Sequence, residues 1–319
     1  MIDAQLSRYG ILASQVPAVN PAAKIHFVGP SAAAWYGDFL ATYGPDADGG
    51  SRVFSSIASA VANANVVASR GDVILVLPGH TETVSAAGGI ALSKAGVTII
   101  GLGAGTLRPT VTYDTAATAT TTVSAADVTI ENIVFTANYA DIAKVFDVST
   151  AKNFTLRNCS FKATATNMNF LAIVDTNTTN NAADGLTVDG CTWVEPDTAT
   201  ISMLDVDADL DGLVVRGCYL NLGVNTSDLP AIAGVATGKD LTNARIEDND
   251  VIRLNDANPL LVVADTTTAN TGVVKGNHVR HLDTAGELLV TAGTNIGFFN
   301  NYATAVIGAS GYLLPAADS

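Results

Sequence analysis

Apolar and polar residues alternate through a short phrase that the chain repeats. Val128-Thr129-Ile130-Glu131-Asn132-Ile133-Val134-Phe135 returns as Phe154-Thr155-Leu156-Arg157-Asn158-Cys159-Ser160-Phe161, as Leu186-Thr187-Val188-Asp189-Gly190-Cys191-Thr192-Trp193 and as Leu213-Val214-Val215-Arg216-Gly217-Cys218-Tyr219-Leu220. Weaker copies run through Ile246–Asn249, Val274–Asn277 and Phe298–Asn301, and Val97–Gly103 precedes the series. Period-two alternation broken at Asn, Gly or Asp predicts a strand that turns a corner. The corners at Gly101, Asn132, Asn158, Gly190, Gly217, Asp248, Gly276 and Asn300 are 31, 26, 32, 27, 31, 28 and 24 residues apart, so insertions fall in turns. Most copies are preceded by a second alternating run, such as Phe146–Ser149, Leu171–Asp175, Leu204–Asp207, Leu261–Asp265 and Leu288–Thr291. A βαβ repeat would need 10 or more periodic helical residues between strands, and none is visible after residue 70. The pattern predicts an all-β parallel solenoid of about eight coils, a rod on the order of 40 Å long at about 4.8 Å per coil.

Stacking turns sequence columns into ladders. The outward position before the corner reads Glu131, Arg157, Asp189, Arg216, Glu247, Lys275, alternating in sign at every coil. Opposite charges on neighbouring coils favour the register by about 0.2 to 1 kcal/mol per exposed pair. The column after the corner reads Ile133, Cys159, Cys191, Cys218, Asn249, Asn277, Asn301, which predicts a thiol stack that gives way to an Asn ladder.

Residues 1–50 lack the phrase. Pro17, Pro21, Pro30 and Pro45 break any long helix there, so an extended arm with one helical piece near Ala32–Thr42 is expected. An ordered arm must be tied to its own domain or to a neighbouring subunit. Val53, Phe54, Ile57, Ala60, Val61 and Ala64 recur at helical spacing and predict an amphipathic helix over 53–69, which opens a second region spanning 51–319. A buried strand and sharp turn follow at Val73–Glu82. The turn cluster Asp46–Ser51 lacks the later oxygen ligands, including a Glu, that a calcium loop needs.

The run Phe54-x-x-Ile57-x-x-Ala60-Val61, leading to Gly71-Asp72-Val73-Ile74 and Pro78-Gly79, resembles the entry into right-handed parallel β-helix proteins of the pectate-lyase-like superfamily. The resemblance implies a single-stranded right-handed β-helix whose open end is capped by the helix. Pro78–Thr83 with Gly101-Leu102-Gly103 and Arg108-Pro109-Thr110 is similar to β-helix proteins encoded by tailed bacteriophages, over roughly residues 51–303. That implies a virion component, commonly a homotrimer.

Composition narrows the function. Only 14% of residues are charged, so the surface relies on Thr, Asn and Ser, and a net charge of −14 argues against a phosphate-neutralising nucleic-acid face. Three cysteines without C-x-x-C spacing point away from structural zinc and a disulfide framework. The start Met1-Ile2-Asp3-Ala4-Gln5 lacks a basic region and apolar run, and no stretch approaches the roughly 18 apolar residues of a membrane span. The expectation is therefore a protein made in a host cytoplasm without a signal peptide, bound to neither nucleic acid nor membrane.

Candidate chemistry is sparse. Asp175, Asp207 and Asp265 fall near one column with Asp205, Asp209 and Asp211 close by, and paired carboxylates could serve glycoside hydrolysis or bind calcium as lyases of this fold do. No Arg or Lys is expected in that strand column. His278-x-x-His281 lacks further metal ligands, and Gly101-x-Gly103-x-Gly105 runs into Arg108-Pro109 rather than a phosphate-binding helix. No nucleophile constellation is present, so no catalytic residue, metal or cofactor is assigned. The sequence favours a non-enzymatic structural protein on the capsid exterior, a decoration, cement or spike component. Its expected partners are copies of itself in a homotrimer and the major capsid protein or other virion proteins, met through the arm. The alternative is a tailspike-like protein that binds or degrades cell-surface glycan as a lyase or glycoside hydrolase, with Asp175, Asp207 and Asp265 as its acids.

Overall fold

A computed structural model gives the architecture; it describes residues 22–44, 50–195, 202–222, 230–253, 262–263, 269–281, 290–291, 295–305 and 314–315. The chain winds into a parallel β-solenoid of about eight turns with three long sheets of 11, 10 and 8 strands. Each turn lays one strand in the first sheet, turns a tight corner into the second, and then crosses a longer loop to the third. One such turn runs through Thr129–Glu131, Val134–Ala137 and Phe146–Val148 before returning to Thr155–Arg157.

The corners explain the Asn, Gly and Asp of the repeated phrase. Asn132, Asn158, Gly190, Gly217, Asp248, Gly276 and Asn300 all take left-handed backbone with φ between 51° and 67°. Short polar side chains and glycine are the residues that adopt this conformation at low cost. Gly276 also faces steric need, because a Cβ there would lie 2.2 Å from Asp248 Oδ1. Gly101, aligned with these corners by sequence, is an exception: its φ is not positive, and a Cβ there would strike the Asn132 carbonyl at 2.3 Å.

One continuous apolar interior fills the turns. Ile130, Leu156, Val188, Val215, Ile246 and Val274 stack from the first sheet, and Phe135, Phe161, Trp193, Leu220, Val251 and Val279 from the second. Phe135 and Phe161 stack at 5.2 Å with rings 12° from parallel. The column after the corner is buried throughout. Cys159, Cys191 and Cys218 are free thiols there, and Asn249, Asn277 and Asn301 continue it.

Residues 22–44 are tied to the chain's own solenoid, one of the two seats expected for an ordered arm. Ile25–Val28 lies within the first sheet, paired in parallel with Val53–Phe54 on one side and Val73–Val76 on the other. Helix α1 (Tyr36–Tyr43) then covers the outer face of that sheet. Phe39 packs with Phe27, Leu75, Leu77, Ile100 and Leu102 in a second apolar cluster outside the solenoid. The helix expected over 53–69 is shorter. Val53–Phe54 is strand, α2 spans Ile57–Ala62, and the Asn63 side chain ends it by accepting from Asn65 N at 2.9 Å. Ser56 caps its start by accepting from Ser59 N, while the Glu82 carboxylate accepts from Ile57 N at 2.6 Å and Ala58 N at 3.1 Å. Ile57, Ala60 and Val61 enter the solenoid core, so α2 covers the start of the interior. At the other end Leu314–Pro315 closes the second sheet by pairing with Tyr302–Ala305 antiparallel, where the other described pairs of that sheet are parallel.

Candidate functional site

Three outward faces carry the polar chemistry, and they differ. On the first sheet the predicted charge ladder is in register: Glu131 opposes Arg157, then Asp189, Arg216, Glu247 and Lys275 follow coil by coil. Arg216 Nη2 reaches Asp189 Oδ2 at 2.8 Å, and Lys275 Nζ lies 3.4 Å from Glu247 Oε1. The Arg216 guanidinium holds the Asp189 carboxyl below its usual range, and Arg245, 2.9 Å from Glu247, does the same there. Arg157 is looser, 3.9 Å from Glu131 and 3.7 Å from Asp189. An open groove of about 670 Å³ lies beside it, floored by Ile100 and Leu102 and edged by Glu131, Asn132 and Arg157.

The third sheet carries the acids. Its outward column runs Thr122, Asp147, Asp175, Asp205, Gly234, which places three carboxylates on consecutive coils. Asp175 thus shares register with Asp147 and Asp205, not with Asp207. Asp207 follows the end of its strand, where its N–H donates to Thr176 Oγ1 at 3.0 Å. The third acid, Asp265, lies outside the described residues. Asp209 and Asp211 leave the third sheet altogether. Asp211 belongs to a small two-stranded ladder with Thr242 and accepts from the Thr242 hydroxyl at 2.8 Å and the Asn243 amide at 2.7 Å.

The acids have a basic neighbour after all. Lys144 Nζ contacts Asp175 Oδ2 at 2.6 Å and Asp147 Oδ1 at 3.5 Å. The lysine comes from the loop just before the Phe146–Val148 strand, so it reaches the column without being part of it. Partial burial lowers its pKa, but the hydrogen bond and charge of Asp175, with Asp147 behind, leave it raised. Burial raises the Asp175 carboxyl; Lys144 opposes, and Asp207 and Asp147 add repulsion. Asp205 is also raised, by desolvation first and then by Asp207 and Asp175. Perturbed carboxyls beside a cation are a pattern found at functional sites. Lys144-x-x-Asp147 was the signal in the sequence, hidden because the lysine precedes the alternating run.

The remaining candidates separate. His278 faces outward with Nδ1 3.6 Å from Asp250 Oδ1, while the side chain of His281 lies outside the described residues. Gly103 and Gly105 turn the chain into a 3₁₀ turn at Gly105–Leu107 and form no helix start. Of the Asp46–Ser51 cluster only residues 50 and 51 are described. Among the described residues no group of three or more His, Cys, Asp or Glu is placed to hold a metal. In the thiol column, burial pushes Cys218 up to about 12, which keeps it protonated and inert. Two charged residues were not anticipated inside the solenoid: Glu195 and Arg253 are both fully buried, and Glu195 Oε2 accepts from Phe170 N at 3.4 Å.

No family model matches the chain, and no curated protein matches it. Among solved structures a rhamnogalacturonan lyase aligns over 87% of this chain and 87% of its own length, with 11% identity and a TM-score of 0.43. Among the described residues no helix is long and apolar enough to cross a membrane.

Proposed function

We propose that this chain is a non-enzymatic structural protein of a tailed-phage particle. In this reading it is a capsid decoration, cement or spike component that works as a homotrimer and is held by its N-terminal region to the major capsid protein or another virion protein. The observation that carries this reading is the seat of Ile25–Val28. The strand lies between two parallel neighbours, with four residue pairs to Val73–Val76 and two to Val53–Phe54. A load applied through residues N-terminal to it must break both ladders before the chain moves, which suits an attachment segment anchored in a rigid rod. The charge ladder and the Cys-to-Asn stack hold the same rod in register. Mass spectrometry and imaging of purified particles with and without the protein test this; its absence from intact virions would overturn it. Light scattering of the free protein at micromolar concentration is expected to give three times the 32.6 kDa of one chain.

A second reading has one observation of its own. Lys144 beside Asp175, Asp147 and Asp205 supplies the cation that a polysaccharide-cleaving site would need near its acids. Incubation with host surface polysaccharide decides it. New reducing or unsaturated ends that vanish in Asp175→Asn would support cleavage, and no new ends would exclude it for that polysaccharide.

A further inference from the structure

Helix α1 covers only one end of the first sheet. Phe39 packs on Phe27, Leu75 and Leu77, and its cluster reaches as far as Ile100 and Leu102, which also floor the open groove. From Thr98–Gly101 to Ile296–Phe299 the sheet continues through eight strands whose outward face no described α-helix covers. The outward column of those strands reads Ile100, Glu131, Arg157, Asp189, Arg216, Glu247, Lys275, Phe299, each in register with the next. It is apolar at both ends and alternates in sign between them.

Alternation cancels the field at a distance, so a partner of one sign gains nothing from this column. What matches it is an opposite alternation at the same coil spacing, and a second copy of the chain carries one. Reversed end for end and laid face to face, the column sets Lys275 against Glu131, Glu247 against Arg157, Arg216 against Asp189, and Phe299 against Ile100. Symmetric copies with their rods parallel would instead hold each charge level with its own counterpart, like against like. Arg157, Arg216 and Lys275 each leave about half of their side chains exposed, so they can reach across such a contact. Two residues earlier the outward column runs Thr98, Thr129, Thr155, Thr187, Val214, Arg245, Val273, Gly297, and reversal sets its one charge, Arg245, against Thr155. The ends fit as well. Phe299 is 57% exposed, and in this register it lies over the groove of about 670 Å³ in the other copy. The sheet stops at Phe299, so each copy ends where α1 of the other begins.

We propose that this face is a self-association surface, on which two copies meet first sheet to first sheet with their rods antiparallel, about a two-fold axis between the Asp189 and Arg216 coils. The pairing does not rest on the particle reading, since a protein absent from virions would still pair here. Eight strands at about 4.8 Å, each about three residues wide, give on the order of 400 Å² per copy. That total lies below the roughly 1,200 Å² of stable interfaces, so the contact is weak: open at about 1 µM and filled at about 300 µM.

Sedimentation velocity of the full chain tests it. At about 0.05 M salt the mass at about 300 µM is expected to reach at least twice its value at about 1 µM, and to fall back at about 0.5 M salt. Lys275→Glu sets acid against Glu131 at both ends of the contact and is expected to raise Kd about tenfold. Adding Glu131→Lys restores opposite charges between copies and is expected to recover most of that loss. Phe299→Ala is expected to raise Kd about fivefold. Melting temperatures at micromolar concentration, where the contact is open, check that each variant is folded. A short bismaleimide is expected to join Glu131→Cys chains to Lys275→Cys chains, while Lys275→Cys chains alone stay unjoined. A mass that does not change with concentration would overturn the proposal. So would a double charge swap that pairs no better than Lys275→Glu, full pairing in Phe299→Ala, or crosslinking of Lys275→Cys chains to one another.

Discussion

Asn277→Ala is the sharpest probe of what holds the rod together. The Asn277 side chain donates from Nδ2 to Ile246 O at 2.9 Å and to Asn301 Oδ1 at 2.8 Å. Its Oδ1 accepts from Asn249 N at 3.0 Å and from Asn249 Nδ2 at 2.9 Å. Alanine removes all four bonds in a fully buried position. At about 1 kcal/mol net per hydrogen bond the loss is about 4 kcal/mol, and the orphaned Asn249 N–H keeps it from being smaller. Cys191→Ala, one zone earlier in the same column, removes a long S–H···O contact of 3.7 Å to Asp189 O, a thiol contact with Cys159 and a small apolar volume, so about 1 to 2 kcal/mol is expected. Solenoid coils contact only their neighbours, so the damage concentrates in the coils around the substitution. Hydrogen exchange at Asn249 and Cys218 reads this directly, because Cys218 N donates to Asn249 Oδ1 at 2.9 Å and belongs to the same chain of amides. Urea unfolding by far-UV circular dichroism supplies the global loss. If Asn277→Ala costs no more than Cys191→Ala, or if the Asn249 amide exchanges at its native rate, the Asn ladder is not a stabilising device.

Further predictions concern charge and pH. Arg216→Glu would stack three acids at Asp189, 216 and Glu247; a lower melting temperature is expected at low salt, with the gap narrowing as salt rises, and a salt-independent gap would refute the ladder. His26 is fully buried on the inserted strand, with Asp72 Oδ2 3.6 Å away. Its pKa is lowered by burial, opposed by Asp72 and assisted by Arg52 and Arg70. Stability from a neutral buried His is present above the unfolded value of about 6.5 and is lost as pH falls through the depressed folded value. His26→Leu should flatten the melting-temperature profile in that window; an unchanged slope would clear His26. Asp205 has the opposite sign, because its raised folded pKa favours the protonated form. Its contribution is fully present below the unfolded value of about 3.9 and is lost as pH rises through the folded one, so Asp205→Asn should raise the melting temperature at pH 7. A lower one would mean that the charged carboxylate is the stabilising form.

The first sheet and its corners were legible in the sequence because the turn into the second sheet is short and nearly constant, which fixes every column beside it. The charge ladder and the Ile133-to-Asn301 stack follow from that. The third sheet is reached across loops of variable length, so its register is not fixed by the corner. Asp205 and Asp207 sit two positions apart, and a slip of two residues keeps a side chain on the same face. Alternation therefore could not say which of them opposes Asp175. Lys144 was lost for the same reason, since it acts from a loop. Ile25–Val28 carries no copy of the phrase, and its neighbours, Val53–Phe54 and Val73–Val76, are set by a long-range insertion that a local pattern does not encode.

The three outward columns can be compared as devices, since each stacks like positions at one coil spacing. The first alternates sign from Glu131 to Lys275 and so cancels its own field. The third places Asp147, Asp175 and Asp205 together, with one lysine reaching two of them. A sheet built only to hold register has no use for that repulsion, and the same chain avoids it on the neighbouring face. The second changes from small residues to Tyr219, Asp250, His278 and Tyr302 in its later coils. Recognition of other molecules is therefore best sought on the second and third faces, and register, within the rod and between copies, on the first. If Arg216→Glu destabilises the rod while Tyr219→Ala and Asp205→Asn do not, that division of labour is correct.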